Sequence, residues 1–263
     1  MAQYNWTNCP KAIKGEISTL QTEFKTILQE HITGLYLYGS LASGGFNPER
    51  SDINLLVLTD HPLTSEHKRQ LTDLFLRISK APSPVEATFI NEQALRPLQQ
   101  PLTFEFHYDE TMRERYQQDL RTGAWQQWHE QAQQSSTLAL DIAMIRESGI
   151  CIAGLPIAEA FPEIPTSTIQ AILRTNLQQA SNERLRNPVD FVLNGCRIYV
   201  ALKDGKLISK DAAGLWGLTN GNLPEKFLPL IHQAISLYRG ERLGRPAGRQ
   251  LLDDFAHFLD EQL

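Results

Sequence analysis

The 263-residue sequence has little cysteine, no apolar run approaching a membrane span, and no excess of positive charge. Each shortage excludes something. Cys9, Cys151 and Cys196 are odd in number and widely scattered, with no C-x-x-C. That argues against a disulfide framework and a cysteine zinc site, and fits a reducing cytosol. With no stretch of ~18 uncharged apolar residues there is no candidate membrane helix. The opening "MAQYNWTNCPKAIKGEI" lacks the basic-then-apolar pattern of a signal peptide. A formal net charge of -5 offers no general attraction to nucleic acid, although a local basic groove for a phosphate ligand is compatible with it. The expectation is a cytoplasmic monomer that engages neither membrane nor nucleic acid. What the chain does have is a globular composition, 41% hydrophobic and 21% charged, and length enough for one large domain or two ordinary ones.

Hydrophobic periodicity divides the chain. Between Cys9 and His31, Ile13, Ile17, Leu20, Phe24, Ile27 and Leu28 recur at helical steps. "ITGLYLYG", "INLLVLT", "VEATFIN" and "LTFEFHY" read as strands. "TSEHKRQLTDLFLRIS" reads as a helix with Thr64 or Ser65 at its N-cap. "LALDIAMIRESG" is helical and leads into a strand candidate, "ICIAG". "LPIAEAFPEIP", with three prolines in eleven residues, reads as a linker. Beyond it nearly everything is helical, including a segment opened by Asn187-Pro188, where proline is tolerated at the first helical position. The pattern predicts an α/β layer with a small mixed sheet, followed by a helical bundle.

Chemistry concentrates in "LYLYGSLASGGFNPERSDINLLVLTD", Leu35 to Asp60. Asp52 and Asn54, two apart in a predicted strand, share a face. Gly39-Ser40 ends the preceding strand, and Gly44 and Gly45 allow a tight loop that brings backbone N–H groups near a ligand. Oxygen ligands at one strand end, opposite hydroxyl and N–H donors, suit magnesium and a triphosphate. Glu86 is the one acidic residue of its apolar segment, placed to be a third ligand or a general base. A bland reading stands beside this: the Gly-rich loop as an ordinary turn, Asp52 as its cap, Glu86 on an edge strand facing solvent.

"LYGSLASGGFNPERSDINLLV" resembles the nucleotidyltransferase signature of a Gly-Ser, a loop and Asp-x-Asp on a strand. More narrowly it is similar to the aminoglycoside adenylyltransferases that modify streptomycin and spectinomycin. Further likenesses follow in order: "VEATFI", "RESGICIAGLPI", "VLNGCRIYVALKDGKLISKDAAGLWGL" and "LIHQAISLYRGE". The resemblance implies an α+β fold, with a nucleotidyltransferase-type mixed β-sheet and flanking helices over residues 1–157 and an all-α bundle over 158–263. It implies an ATP-dependent enzyme that uses magnesium and moves AMP to a hydroxyl of a small molecule. Glu86 would be the catalytic carboxylate, with Asp52, Asn54 and Glu86 at the metal. Gly39, Ser40, Ser51, Arg197, Lys210 and Tyr238 would meet the nucleotide. Taken singly, Arg197 and Lys210 read as helix-surface charges, and Trp216 as a packing residue.

Three departures bear on activity. Asn54 stands where the family has its second metal-binding aspartate; it keeps the shape and one carbonyl oxygen but not the charge. The chain is therefore expected to be an impaired transferase, or else an inactive nucleotide- or small-ligand-binding protein of the same fold. Its asparagine would be a natural loss, a tolerated change, or a deliberate replacement. Thr137 occupies a position where the family is acidic, with Asp141 one turn later. His107 lies near a family tryptophan of the drug pocket, and Glu183 is a further substrate-binding candidate, although Arg184 and Arg186 beside it are ill suited to a polycationic acceptor.

Overall fold

The computed structural model describes residues 4–96, 98, 101–128, 132–220, 223–241 and 248–262. They form two compact units, one from Tyr4 to Ile164 and one from Pro165 onward.

The first unit opens with helix α1 (Lys11–Leu28), which buries Ile13, Ile17, Leu20, Phe24 and Leu28, the apolar stripe of the sequence. Strand β1 (Ile32–Tyr38) runs into a single helical turn, α2 (Ser40–Ser43), and the chain returns as β2 (Ile53–Thr59). These strands pair antiparallel, from Ile32 opposite Thr59 to Tyr38 opposite Asn54. Helix α3 (Ser65–Ile78) follows, its first turn closed by a reciprocal cap between Thr64 and His67. It carries the chain over to β3 (Val85–Asn91), which lies parallel to β2, a pairing that needs such a crossover.

The stretch "LTFEFHY" is not one strand. Residues Leu102–Phe104 form β4 and Phe106–Tyr108 form β5, with Glu105 between them turned inward. The Glu105 N–H donates to the Phe89 carbonyl, and its buried carboxylate lies beside buried Lys68. The strand is interrupted at Glu105: β5 joins β3, while β4 pairs with β6 (Gln133–Ser135) in a small separate sheet. Helix α4 (Arg113–Thr122) lies between β5 and β6; helix α5 (Leu138–Ser148) and strand β7 (Ile150–Gly154) follow. The main sheet runs β5-β3-β2-β1-β7 and is mixed, as the sequence predicts. The proline-rich stretch is packed rather than loose. It holds a short helix, α6 (Ile157–Ala160), Phe161 is buried edge-on against Tyr36, and Arg146 donates to the Phe161 carbonyl at 2.6 Å.

One polar group sits in this core at a cost. Glu16, on the buried face of α1, receives the Ser83 N–H at 3.1 Å through Oε2, while Oε1 is buried without a hydrogen-bond partner. Burial pushes its carboxyl up to about 7. Below the ordinary value of 4.5 the carboxyl is protonated in folded and unfolded chains alike, so it has no effect there. As pH rises, the unfolded chain releases its proton first, and folding stability falls until about pH 7. Each tenfold difference in proton affinity between the two states is worth ~1.4 kcal/mol, so the loss is on the order of 3 kcal/mol. Glu16→Gln is expected to remove this slope. Urea midpoints of parent and variant at pH 5 and pH 8 measure it; equal losses in both proteins would contradict the assignment.

The second unit is helical throughout: α7 (Thr166–Glu183), α8 (Pro188–Asp204), α9 (Lys210–Thr219), α10 (Leu228–Tyr238) and α11 (Arg249–Gln262). Pro188 takes the first position of α8, and Ser209 caps α9 by accepting the Ala212 N–H. Phe191, Phe227 and Phe255 stack edge-on in its core. Gly195 and Gly214 lie where a side chain would collide with Leu259 and with Ile235 and Leu193, so they let the helices approach closely. Among the described residues no helix is long and apolar enough to cross a membrane.

Candidate active site

The site is built at the end of β1. Gly39 has φ 72, a left-handed conformation that favours glycine, and a Cβ there would also strike Asn54 Oδ1. The Gly-Ser turn is thus pressed against the side chain of Asn54. Gly44 closes the turn at φ 93, and the N–H groups of Gly44 and Gly45 both donate to the Ser40 carbonyl. With both engaged there, these two N–H groups hold the turn tight, as the glycines in this loop suggest. Ser51 is buried, and its hydroxyl accepts the Asn47 N–H at 3.0 Å, fixing the loop that delivers Asp52. Asp52 precedes β2 by one residue and is exposed, so it stands at the strand's mouth and not within the strand.

Parallel register sets Asn54 directly beside Glu86. The Asn54 amide donates to Glu86 Oε2 at 2.6 Å. Burial, the largest influence, pushes the Glu86 carboxyl above its ordinary range; the charge on His107 opposes this, Asp52 and Asp109 add to it, and the Asn54 hydrogen bond opposes it again. Four of the sequence candidates therefore share one neighbourhood: Asp52, Asn54, Glu86 and His107. His107 is fixed by two partners, the Thr88 hydroxyl at 2.9 Å and Asp109 at 3.3 Å. The edge-strand reading of Glu86 fails, because β3 has neighbours on both sides.

Two members of this neighbourhood escape a reading of the sequence alone. Tyr38 is buried, and its phenol is pushed up by burial and then by the charges of Asp141 and Glu86. Asp141, on α5, thus borders the same site, whereas Thr137 is exposed at the start of that helix. Asp109 orients His107. Its signal was its position two residues on along the chain, the same face of an extended segment.

The donors suit a hard divalent cation: carboxylate oxygens from Asp52 and Glu86 and one carbonyl oxygen from Asn54. Asn54 supplies no charge to that set, and its amide already engages one Glu86 oxygen. Nearby, a cavity of about 380 Å³ is lined by Phe104, His107, Tyr116, Trp128, Glu105 and Asp119. Its carboxylates have partners, Asp119 with the Trp128 indole at 3.0 Å and Glu105 with the Leu63 N–H at 3.4 Å. It is not a bare acidic cup for a polycation.

The remaining candidates belong to the helical unit. Lys210 opens α9 and pairs with Asp190 at 2.8 Å. Arg197 lies two turns beyond Asp190 on α8, hence on the same face. Tyr238 ends α10. The next residues in each case, Asp211 and Arg239, form a two-pronged ion pair at 2.8 Å and 2.8 Å, with Asp211 buried. This clamp joins the start of α9 to the end of α10 and so gathers Lys210 and Tyr238 at one end of the unit. Glu183 is exposed at the end of α7, and neighbouring Arg184 is held by Asp253 at 2.7 Å.

Comparison with known proteins agrees in both units. Residues 17–106 match the family described as "Nucleotidyltransferase domain", and residues 159–262 match "Aminoglycoside adenylyltransferase, C-terminal domain". The chain is 29% identical over 221 residues to a spectinomycin 9-adenylyltransferase of Campylobacter jejuni, covering 82% of this chain and 81% of that protein. It is 25% identical over 240 residues to one from Enterococcus faecalis, covering 87% and 88%. A crystal structure of a spectinomycin adenylyltransferase from Enterococcus, solved with ATP and spectinomycin, superimposes with a TM-score of 0.79 at 23% identity, over 95% of this chain and 98% of that one.

Proposed function

Because the chain belongs to the aminoglycoside adenylyltransferase family of nucleotidyltransferases, we propose that it transfers AMP from ATP to a hydroxyl of an aminoglycoside-class small molecule, at a rate held down by Asn54. The observation that carries this reading is the convergence of the Gly39-Ser40 turn, Asp52 and Glu86 at one end of the sheet.

In the proposed reaction the acceptor hydroxyl gives its proton to the Glu86 carboxylate. Its oxygen attacks the α-phosphorus of ATP, the bond from that phosphorus to the bridging oxygen breaks, and pyrophosphate leaves. A magnesium ion held by Asp52, Glu86 and the Asn54 carbonyl would neutralise phosphate charge. Ser40, at the start of the Gly39 turn, is assigned to the phosphates, while Ser51 holds the loop that presents Asp52. From the helical unit, Arg197, Lys210 and Tyr238 are assigned to the nucleotide. Lys210 would exchange its Asp190 partner for phosphate, one charge-assisted contact for another. His107, oriented by Thr88 and Asp109, is assigned to the acceptor, with Tyr38 and Asp141 beside it. Glu183, exposed at the end of α7, is assigned to the acceptor as well, beside Arg184, whose charge Asp253 already pairs.

A second reading is a catalytically silent nucleotide binder, favoured by the Asn54–Glu86 hydrogen bond, which occupies the base. Pyrophosphate release from magnesium-ATP, with and without spectinomycin or streptomycin, separates the two. The expected result is slow, acceptor-dependent release. ATP binding without any release would support the second reading, and absence of ATP binding would defeat both.

A further inference from the structure

A different cluster of metal-binding side chains lies at the other end of β1. His31 immediately precedes that strand, and Asp60 and His61 immediately follow its antiparallel partner β2. The Asp60 N–H donates to the His31 carbonyl at 3.0 Å, so the sheet itself holds the two segments in register. Both imidazoles aim the same nitrogen at one oxygen: His31 Nδ1 is 3.1 Å and His61 Nδ1 2.8 Å from Asp60 Oδ1. The rings lie with centroids 4.6 Å apart, and one ligand atom from each of the three residues falls within 4.8 Å of the others. Among the described residues this is the one such group of three. All three side chains reach solvent.

From this geometry we propose that His31, Asp60 and His61 form a surface site for a divalent transition metal of the zinc class. Two imidazole nitrogens and a carboxylate oxygen are the ligand chemistry such ions take, and three protein ligands leave a position open to water. Ligands at ~2.0–2.2 Å from a tetrahedral ion stand roughly 3.3–3.6 Å from one another. The observed separations of 3.1 Å and 2.8 Å to Asp60 Oδ1 need a slight opening to reach that, and all three ligand atoms already lie within 4.8 Å of one another. Neutral imidazoles with a bare coordinating nitrogen are required, so a proton on that nitrogen must leave or move to the other ring nitrogen as metal binds. The seven residues of β1 separate this cluster from the Gly39 turn by about 20 Å. The ion is therefore a clasp between two loop segments, separate from the transferase reaction.

The test is titration of metal-stripped protein with zinc chloride in a non-chelating buffer, followed by calorimetry and thermal melting. A Cys151→Ser background removes the one exposed thiol. One zinc per chain and a raised melting temperature are expected, with affinity reduced roughly tenfold or more in His31→Ala and in His61→Ala. Asp60→Asn, which keeps the shape, should weaken binding too. His257→Ala, which removes an exposed histidine paired with Glu261 on α11, should leave it unchanged. The proposal is overturned if no saturable one-to-one uptake occurs, if both His variants bind as the parent does, or if His257→Ala abolishes uptake. None of these readouts depends on transferase activity.

Discussion

Asn54→Asp is expected to tighten magnesium-ATP binding by about ten- to a hundredfold, with a matching rise in acceptor-dependent pyrophosphate release. The gross attraction between unit charges 4 Å apart is ~4 kcal/mol at an effective dielectric of ~20, and larger for a divalent ion. Desolvation returns part of it; a surviving ~1.4–2.7 kcal/mol gives the stated range. The same change has an opposite effect on the metal-free protein. It replaces the amide that donates to Glu86 at 2.6 Å with a second carboxylate, beside a group whose ionised form the site already disfavours. The melting temperature of the variant should therefore fall below the parent's without magnesium and recover with it. Isothermal titration and melting curves, each with and without magnesium, check both halves. Equal magnesium-ATP affinity in parent and variant would show that the second carboxylate is dispensable in this chain.

The helices and the central strands were legible because burial imposes period. The α1 stripe and four of the five main-sheet strands, β1, β2, β3 and β7, are one-sided or fully apolar, so the sequence marks them. The division of "LTFEFHY" was not legible, since β5 and β4 find different partners, β3 and β6, that are distant in sequence, and Glu105 between them turns inward to accept the Leu63 N–H. The site was legible in part for a related reason. Gly39, Asp52 and Glu86 could be suspected from residue type at strand ends. That Asn54 would be hydrogen-bonded to Glu86 depends on parallel register between β2 and β3, which no local pattern encodes. Tyr38 looked like one more strand aromatic, and its place between Glu86 and Asp141 follows from where α5 packs. The Asp211–Arg239 clamp is a tertiary fact of the same kind.

Glu86→Gln should separate stability from activity. The substitution retains a carbonyl oxygen to accept the Asn54 amide, so the local packing survives. It also removes a half-buried carboxylate whose ionisation is disfavoured by burial and by Asp52 and Asp109. A carboxyl raised above its unfolded value costs stability as pH climbs from the unfolded value through the folded one. The variant should accordingly melt no lower than the parent at pH 8, and its melting temperature should depend less on pH. Activity should move the other way. As general base, Glu86 acts only when ionised, so kcat/KM in the parent should rise with pH along a limb that reports that ionisation. Loss of a general base typically costs 10²–10⁴-fold, so the variant should lose about that much in kcat and show no such limb. A variant that keeps both its melting temperature and most of its kcat would mean that another group takes the proton. His107, already fixed by Thr88 and Asp109, would then be the next residue to replace.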